Sequence, residues 1–166
     1  MASDLRISGI IEESIVDGPG LRFTVFTQGC PHHCPGCHNP QTHDFGGGKL
    51  MDIWEIFKMY RENPLLSGIT FSGGEPFCQP EPLYELGGLV KSLGHNVMTY
   101  TGYTYEQLLK MAGENDGIRR LLSVTDILVD GPFIEAEKDL DLKFRGSRNQ
   151  KIIVLNKALD KLPDLN

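Results

Sequence analysis

Short β-branched and aromatic runs alternate along this chain with amphipathic segments, and most runs end in turns too rich in glycine and proline to continue as strand. Leu21–Thr27, Ser67–Phe71, Asn96–Tyr100, Asp126–Asp130 and Lys151–Leu155 read as strands. Ile53, Ile56, Phe57 and Tyr60 share one face of a helix capped by Asp52 and running to about Arg61. Pro82–Leu93 reads as a second helix closed by Gly94, with shorter helical stretches at Tyr105–Met111 and Ile118–Leu122. Ile7 to Val16 reads as an edge strand or extended arm, and 41–50, with Gly46-Gly47-Gly48, as a mobile connection. Strand–helix order of this kind predicts an α/β fold, a parallel sheet of about five or six strands with flanking helices. Right-handed crossovers then bring every strand's carboxyl end to one rim. A length of 166 residues suits a single domain, 1–166.

Charge and hydropathy narrow the partners. Acidic residues outnumber basic ones 22 to 16, the net charge is −6, and the basic residues are scattered apart from Arg119-Arg120. No nucleic-acid partner is expected from such a surface. No apolar run approaches the roughly 20 residues of a membrane helix, so no membrane partner is expected and the compartment reads as cytoplasmic. Four cysteines in that compartment stay reduced, which favours metal or redox chemistry over disulfides.

Three of the cysteines stand in one stretch, Gln28 to Pro40, with the spacing C-x3-C-x2-C directly after the first good strand. Three soft sulfurs on a proline-stiffened loop suit an iron–sulfur cluster with one iron left open. Zinc is the structural alternative, because His32, His33 and His38 are adjacent. Cys78 reads as an ordinary small buried thiol rather than a fourth ligand. Three further strand ends carry unusual residues: Ser72-Gly73-Gly74-Glu75-Pro76, Thr101-Gly102-Tyr103 and Asp130-Gly131-Pro132. In a parallel sheet these converge on the cysteine loop.

The C-x3-C-x2-C loop followed by Gly73-Gly74-Glu75-Pro76 resembles the radical S-adenosylmethionine superfamily. Gly18-x-Gly20-x-Arg22-x3-Phe26-x2-Gly29-Cys30 is similar to the signature of glycyl-radical-enzyme activating proteins. Tyr100 to Tyr103, Leu128 to Phe133 and Phe144 to Gln150 resemble the family that activates anaerobic ribonucleoside-triphosphate reductases. The resemblance spans roughly 9–155 and implies an incomplete, partial TIM-type barrel.

By the same resemblance, Cys30, Cys34 and Cys37 ligate a 4Fe-4S cluster whose fourth iron S-adenosyl-L-methionine chelates. Gly73, Gly74 and Glu75 would receive the methionyl amino group, and Gly36, Cys37 and His38 would pass beside the adenine. Gly36 stands where the superfamily often has an aromatic residue, and His38 where relatives more often have tyrosine. Thr101 and Asp130 are further cofactor-side candidates, the latter reaching the ligand's carboxylate through a cation or water. Arg22 reads as an ion-pairing scaffold residue, and Arg145 and Arg148 as contacts to ligand or partner. No catalytic side chain is expected beyond the cluster and its cofactor. The implied substrate is a glycine in the large catalytic subunit of the reductase, with flavodoxin or ferredoxin as electron donor. Rivals are an activator of another glycyl radical enzyme such as pyruvate formate-lyase, a radical enzyme acting on a small metabolite, and a zinc-stabilised interaction module. Metal analysis separates the last: anaerobically prepared protein should contain iron with matching acid-labile sulfide, whereas zinc at unit stoichiometry without sulfide would contradict the cluster.

Overall fold

The computed structural model describes residues 3–156, so the single-domain reading of 1–166 extends beyond them at both ends. The chain forms β1 (Asp4–Ser14), β2 (Arg22–Thr27), β3 (Lys49–Asp52), α1 (Ile53–Arg61), β4 (Gly68–Gly73), α2 (Pro80–Ser92), β5 (Asn96–Tyr100), α3 (Tyr105–Ala112), α4 (Asp116–Val124), β6 (Ile127–Asp130) and β7 (Lys151–Val154). All seven strands join one sheet in the order β3-β1-β2-β4-β5-β6-β7. Its centre, β2-β4-β5-β6, is parallel. The outer pairings are antiparallel: β1 with β2, β3 with β1, and β7 with β6. Among the described residues the sheet does not close, and β3 and β7 are its edge strands.

The expected parallel sheet of five or six strands is therefore correct for the centre and too simple at both sides. The arm reads out as an 11-residue strand whose first part, Asp4–Ile7, pairs with β3 and whose later part pairs with β2. β3 begins inside the stretch read as a mobile connection. It is only four residues long, its Lys49 and Leu50 are exposed, and so it carries no alternating signal. β7 runs back because the connection from β6 contains only a short 3-10 turn, Glu135–Glu137, and no crossover helix.

Local chemistry accounts for the helices. The Asp52 carboxylate accepts the Trp54 N–H at 2.8 Å, and Ile53, Ile56, Phe57 and Tyr60 form the buried face of α1. Each such buried aliphatic side chain contributes about 1.5–3 kcal/mol. Thr104 and Gln107 make a reciprocal capping box on α3, and Asn115 caps α4 by accepting the Ile118 N–H. No helix among the described residues is long and apolar enough to cross a membrane.

Alternation along the strands separates two environments. Phe23, Val25, Ile69, Phe71, Val97 and Leu128 join the large core with the helices, whereas Met98, Ile127 and Val129 belong to a small cluster with Tyr100, Phe144 and Ile152. The floor of this second side is sealed by Arg22, which is fully buried. It donates to Thr70 Oγ1 at 2.7 Å, Ile69 O at 2.8 Å and Pro19 O at 3.0 Å. Arg22 is thus a scaffold residue, but its direct partners are hydroxyl and carbonyl oxygens, not the carboxylate expected. Burial lowers its pKa to about 10.

The two adjacent glycines of α2 differ in their surroundings. A Cβ on Gly88 meets nothing within 4 Å, whereas one on Gly87 lies 3.2 Å from Val124 Cγ2. Gly88→Ala should therefore stabilise the chain by about 0.5–1 kcal/mol, read as a raised urea midpoint, and Gly87→Ala should not match it.

Candidate active site

At the end of β2 the chain enters the cysteine loop, whose root is pinned from two sides. Gly29 N–H donates to Thr42 O at 2.7 Å and Cys30 N–H to His43 O at 3.2 Å, closing the loop on its own far end. Gln28 Nε2 donates to Gln41 O at 3.0 Å and Asp44 O at 2.6 Å from beneath. On the other side the turn after β4 donates to the same root, Gly74 N–H to Thr27 O and Glu75 N–H to Gly29 O, each at 2.8 Å. This approach leaves no room for a side chain: a Cβ on Gly74 would sit 2.4 Å from Gly29 O. Gly73 has φ +96°, and its Cβ would sit 2.6 Å from Thr27 N. Both glycines are therefore required by backbone contact alone.

The three thiols line one cleft of about 510 Å³, together with His38, Gly73, Gly74, Thr101, Gly102 and Gly131. Cys30 is buried, Cys34 and Cys37 are half-buried, and all three are free thiols. Burial, followed by the charges of Glu75 and Cys34, raises the Cys30 thiol, while backbone N–H groups of His32 and His33 oppose the shift. Cys37 Sγ accepts the Asn39 N–H at 3.4 Å. Among the described residues, no three His, Cys, Asp or Glu side chains are grouped so as to hold a single metal ion.

Gly36 closes the turn in which Cys37 N–H donates to Cys34 O at 3.1 Å, with φ +74°. A Cβ there would come within 3.0 Å of the carboxyl carbon of Glu135, an exposed side chain that can move, so it is the positive φ that disfavours an aromatic residue at this position. His38 is exposed at the rim, its ring tilted against Phe133 at 5.1 Å.

Gly36, Glu75 and Asp130 stand outside the cleft's lining. The buried Glu75 carboxylate accepts from His32 Nε2 at 2.6 Å, Gly102 N–H at 2.8 Å, Thr101 Oγ1 at 3.0 Å and Phe77 N–H at 3.0 Å. Asp130 is likewise engaged with backbone, accepting Tyr105 N–H at 2.8 Å and Lys151 N–H at 3.1 Å. Cys78, expected to be buried, is exposed on the turn after Pro76 and lies away from the cleft lining.

Sequence reasoning passed over Asp17, which lines the cleft while its carboxylate accepts Ser14 Oγ at 2.6 Å and Thr24 Oγ1 at 3.2 Å. Its setting, Asp17-Gly18-Pro19-Gly20, reads locally as a plain turn. Phe133, Phe144 and Gln150 also reach the cleft from the β6–β7 connection. Arg145 lies beside them. Its NH1 donates to Gln150 O at 2.9 Å, and its Nε is buried without a hydrogen-bond acceptor. A desolvated donor of this kind at a cleft wall suits a carboxylate.

Comparison with known proteins follows the same geometry. Residues 16–153 match the family described as a 4Fe-4S single cluster domain. The pyruvate formate-lyase-activating enzyme of Clostridium pasteurianum is 42% identical over 114 residues, 63% of this chain and 48% of that protein, so the matched region spans about half of that relative. The anaerobic ribonucleoside-triphosphate reductase-activating protein of Escherichia coli K12 is 33% identical over 147 residues, 83% of this chain and 91% of that one. The crystal structure of QueE from Escherichia coli aligns with a TM-score of 0.48 at 18% identity, over 61% of this chain and 53% of that chain. The chain belongs to the 4Fe-4S single cluster family and, within it, to the radical S-adenosylmethionine activating enzymes. A 4Fe-4S cluster and S-adenosylmethionine are the cofactors of that class.

Gly74→Ala tests the seam between the turn and the loop root. It should cost about 1–3 kcal/mol in urea denaturation of the metal-free chain and reduce the iron retained on reconstitution.

Proposed function

We propose that this chain generates a glycyl radical on the large catalytic subunit of an anaerobic ribonucleoside-triphosphate reductase. The observation that carries this reading is the match to the Escherichia coli activating protein over 83% of this chain and 91% of that one. The unclosed sheet supports it, because an open rim admits a protein loop where a sealed barrel would admit only a small molecule. A second reading, activation of pyruvate formate-lyase, draws on the higher identity of 42% over a shorter span.

The donor set fits the cofactors. Cys30, Cys34 and Cys37 are free thiols on one cleft and would hold three irons. Gly73 and Gly74 present backbone without Cβ obstruction, suited to the methionyl amino end, and the unpaired Arg145 Nε suits its carboxylate. Cys37 and His38 line the cleft where the adenine would lie, Gly36 shaping their turn from outside the lining, and Thr101 lines the same cleft. Glu75 and Asp130 serve by holding the backbone that shapes this wall. When bound, the cluster and S-adenosylmethionine supply one-electron chemistry, cleaving the sulfonium reductively and taking a hydrogen atom from a glycine Cα. The chain's own residues shape the cleft: Ile11, Val16, Phe133, Leu142 and Phe144 give it an apolar lining, with Ile11 and Val16 at its exposed margin. The electron comes from a donor such as flavodoxin or ferredoxin, in the cytoplasm.

Anaerobic reconstitution followed by electron paramagnetic resonance is the test. A glycyl radical should form with the reductase subunit and not with pyruvate formate-lyase; the reverse result selects the second reading. Cys34→Ala should abolish reductive cleavage of S-adenosylmethionine, and unchanged cleavage would contradict the ligand assignment.

A further inference from the structure

The limb of the cysteine loop between Cys30 and Cys34 is weakly held by its own backbone. The loop root is hydrogen-bonded at Gly29 and Cys30, and the far turn at Cys37. Among the described residues, no backbone–backbone bond joins residues 31–33 to the rest of the chain. Pro31, His33 and Pro35 are exposed, and His33, with φ +48°, touches the far end of the loop through its ring, edge-on to His43 at 4.9 Å. His32 is turned inward, its side chain 16% exposed.

What His32 meets is a built seat. Its Nε2 lies 2.6 Å from Glu75 Oε1, and the Glu75 side chain is wholly buried. The same carboxylate takes donors from the end of β5, at Thr101 and Gly102, and from the turn after β4, at Phe77. The His32 ring stands edge-on to Tyr103 at 4.5 Å. Its other side lies against Gly102, where any Cβ would fall 2.4 Å from His32 Cδ2. One carboxylate thus joins the cysteine limb, the β4 turn and the β5 end, and a glycine leaves space for the imidazole.

We propose that His32 is a positioning residue: its bond to Glu75 sets where the Cys30–Cys34 limb stands relative to the β4 and β5 ends of the cleft. This rests on the proposed function for its consequence, since those ends form the wall against which the cofactor would be aligned. Misplacement of a reacting centre by about 1 Å costs on the order of a hundredfold in rate. Loosening this limb should therefore uncouple cofactor cleavage from radical transfer more than it removes the cluster.

His32→Ala and His32→Gln decide the matter, since the Gln amide nitrogen can reach the place of Nε2. In the metal-free protein, alkylation of the buried Cys30 thiol by iodoacetamide should quicken on the order of tenfold in His32→Ala while the amides of β4 and β5 stay protected from hydrogen exchange. That measurement needs no cluster, so it tests the tether even if the wild-type chain takes up no iron and the functional reading fails. In the reconstituted protein, His32→Ala should keep wild-type iron and sulfide. It should change the resonance signature produced by adding S-adenosylmethionine and lower glycyl radical formed per cofactor cleaved by at least about tenfold. His32→Gln should restore most of each property. Wild-type alkylation of Cys30 and wild-type resonance in His32→Ala would overturn the proposal. So would a Gln variant as impaired as Ala, or loss of protection throughout β4 and β5, which would assign His32 to the general fold.

Discussion

The turn after β4 stays hydrogen-bonded to the β2 side beyond the last ladder pair, and the active-site architecture depends on that attachment. Gly74 and Glu75, although consecutive, both donate their N–H groups to that side, to Thr27 and Gly29. Hydrogen bonds of this kind contribute only about 0.5–1.5 kcal/mol each. Their importance is geometric, because they fasten the root of a loop that bears three thiols to the turn that bears the glycines. No Cβ fits at Gly74, so a close backbone approach and a bare cleft-facing edge arise from the same residue.

The sheet gives this seam a rigid setting. One side of the strands is packed against helices through Ile69, Phe71, Val97 and Leu128, and the other carries buried Arg22 beside the small cluster of Met98, Ile127 and Val129. A buried guanidinium is costly to desolvate, and three oxygens within 3.0 Å offset that cost. One of them is Thr70 Oγ1, which itself donates to Asp17 O at 2.7 Å. The turn at Asp17 is thereby tied to the floor, and its carboxylate-bearing residue to the cleft. At the opposite margin, Tyr100 Oη donates to Phe144 O at 2.5 Å and fastens the β6–β7 connection across the cleft's far wall.

Much of this was legible in the chain. The cysteine spacing, the Gly73-Gly74 turn and the alternation in β2, β4, β5 and β6 are local signals, each written within ten or so contiguous residues. The helices were legible for the same reason, since α1 and α3 carry both caps and apolar faces. Less legible were elements whose partners are distant. β3 exists because Asp4–Ile7 offers it an edge, and nothing in Lys49–Asp52 alone signals a strand. β7 reverses because its connection contains no crossover helix, a property of a long polar segment rather than of the strand itself. Glu75 shows the same limit at the level of a side chain. Its position beside two glycines suggests a group aimed at a ligand, but its four donors come from residues 32, 77, 101 and 102.

Sequence alone determined the chemistry available: three soft thiols at close spacing in one loop, glycines at a strand end, and an α/β order that gathers strand ends on one rim. These follow from residue type and short-range spacing, which the chain carries without folding. Tertiary structure alone decided which polar groups remain free to meet a cofactor. Glu75 and Asp130 are occupied by backbone and side-chain donors, whereas Arg145 Nε has no acceptor and Asp17 reaches the cleft. The reason is physical: a hydrogen-bonding group's role is set by what else can reach it after burial, and those competitors lie far away in the chain.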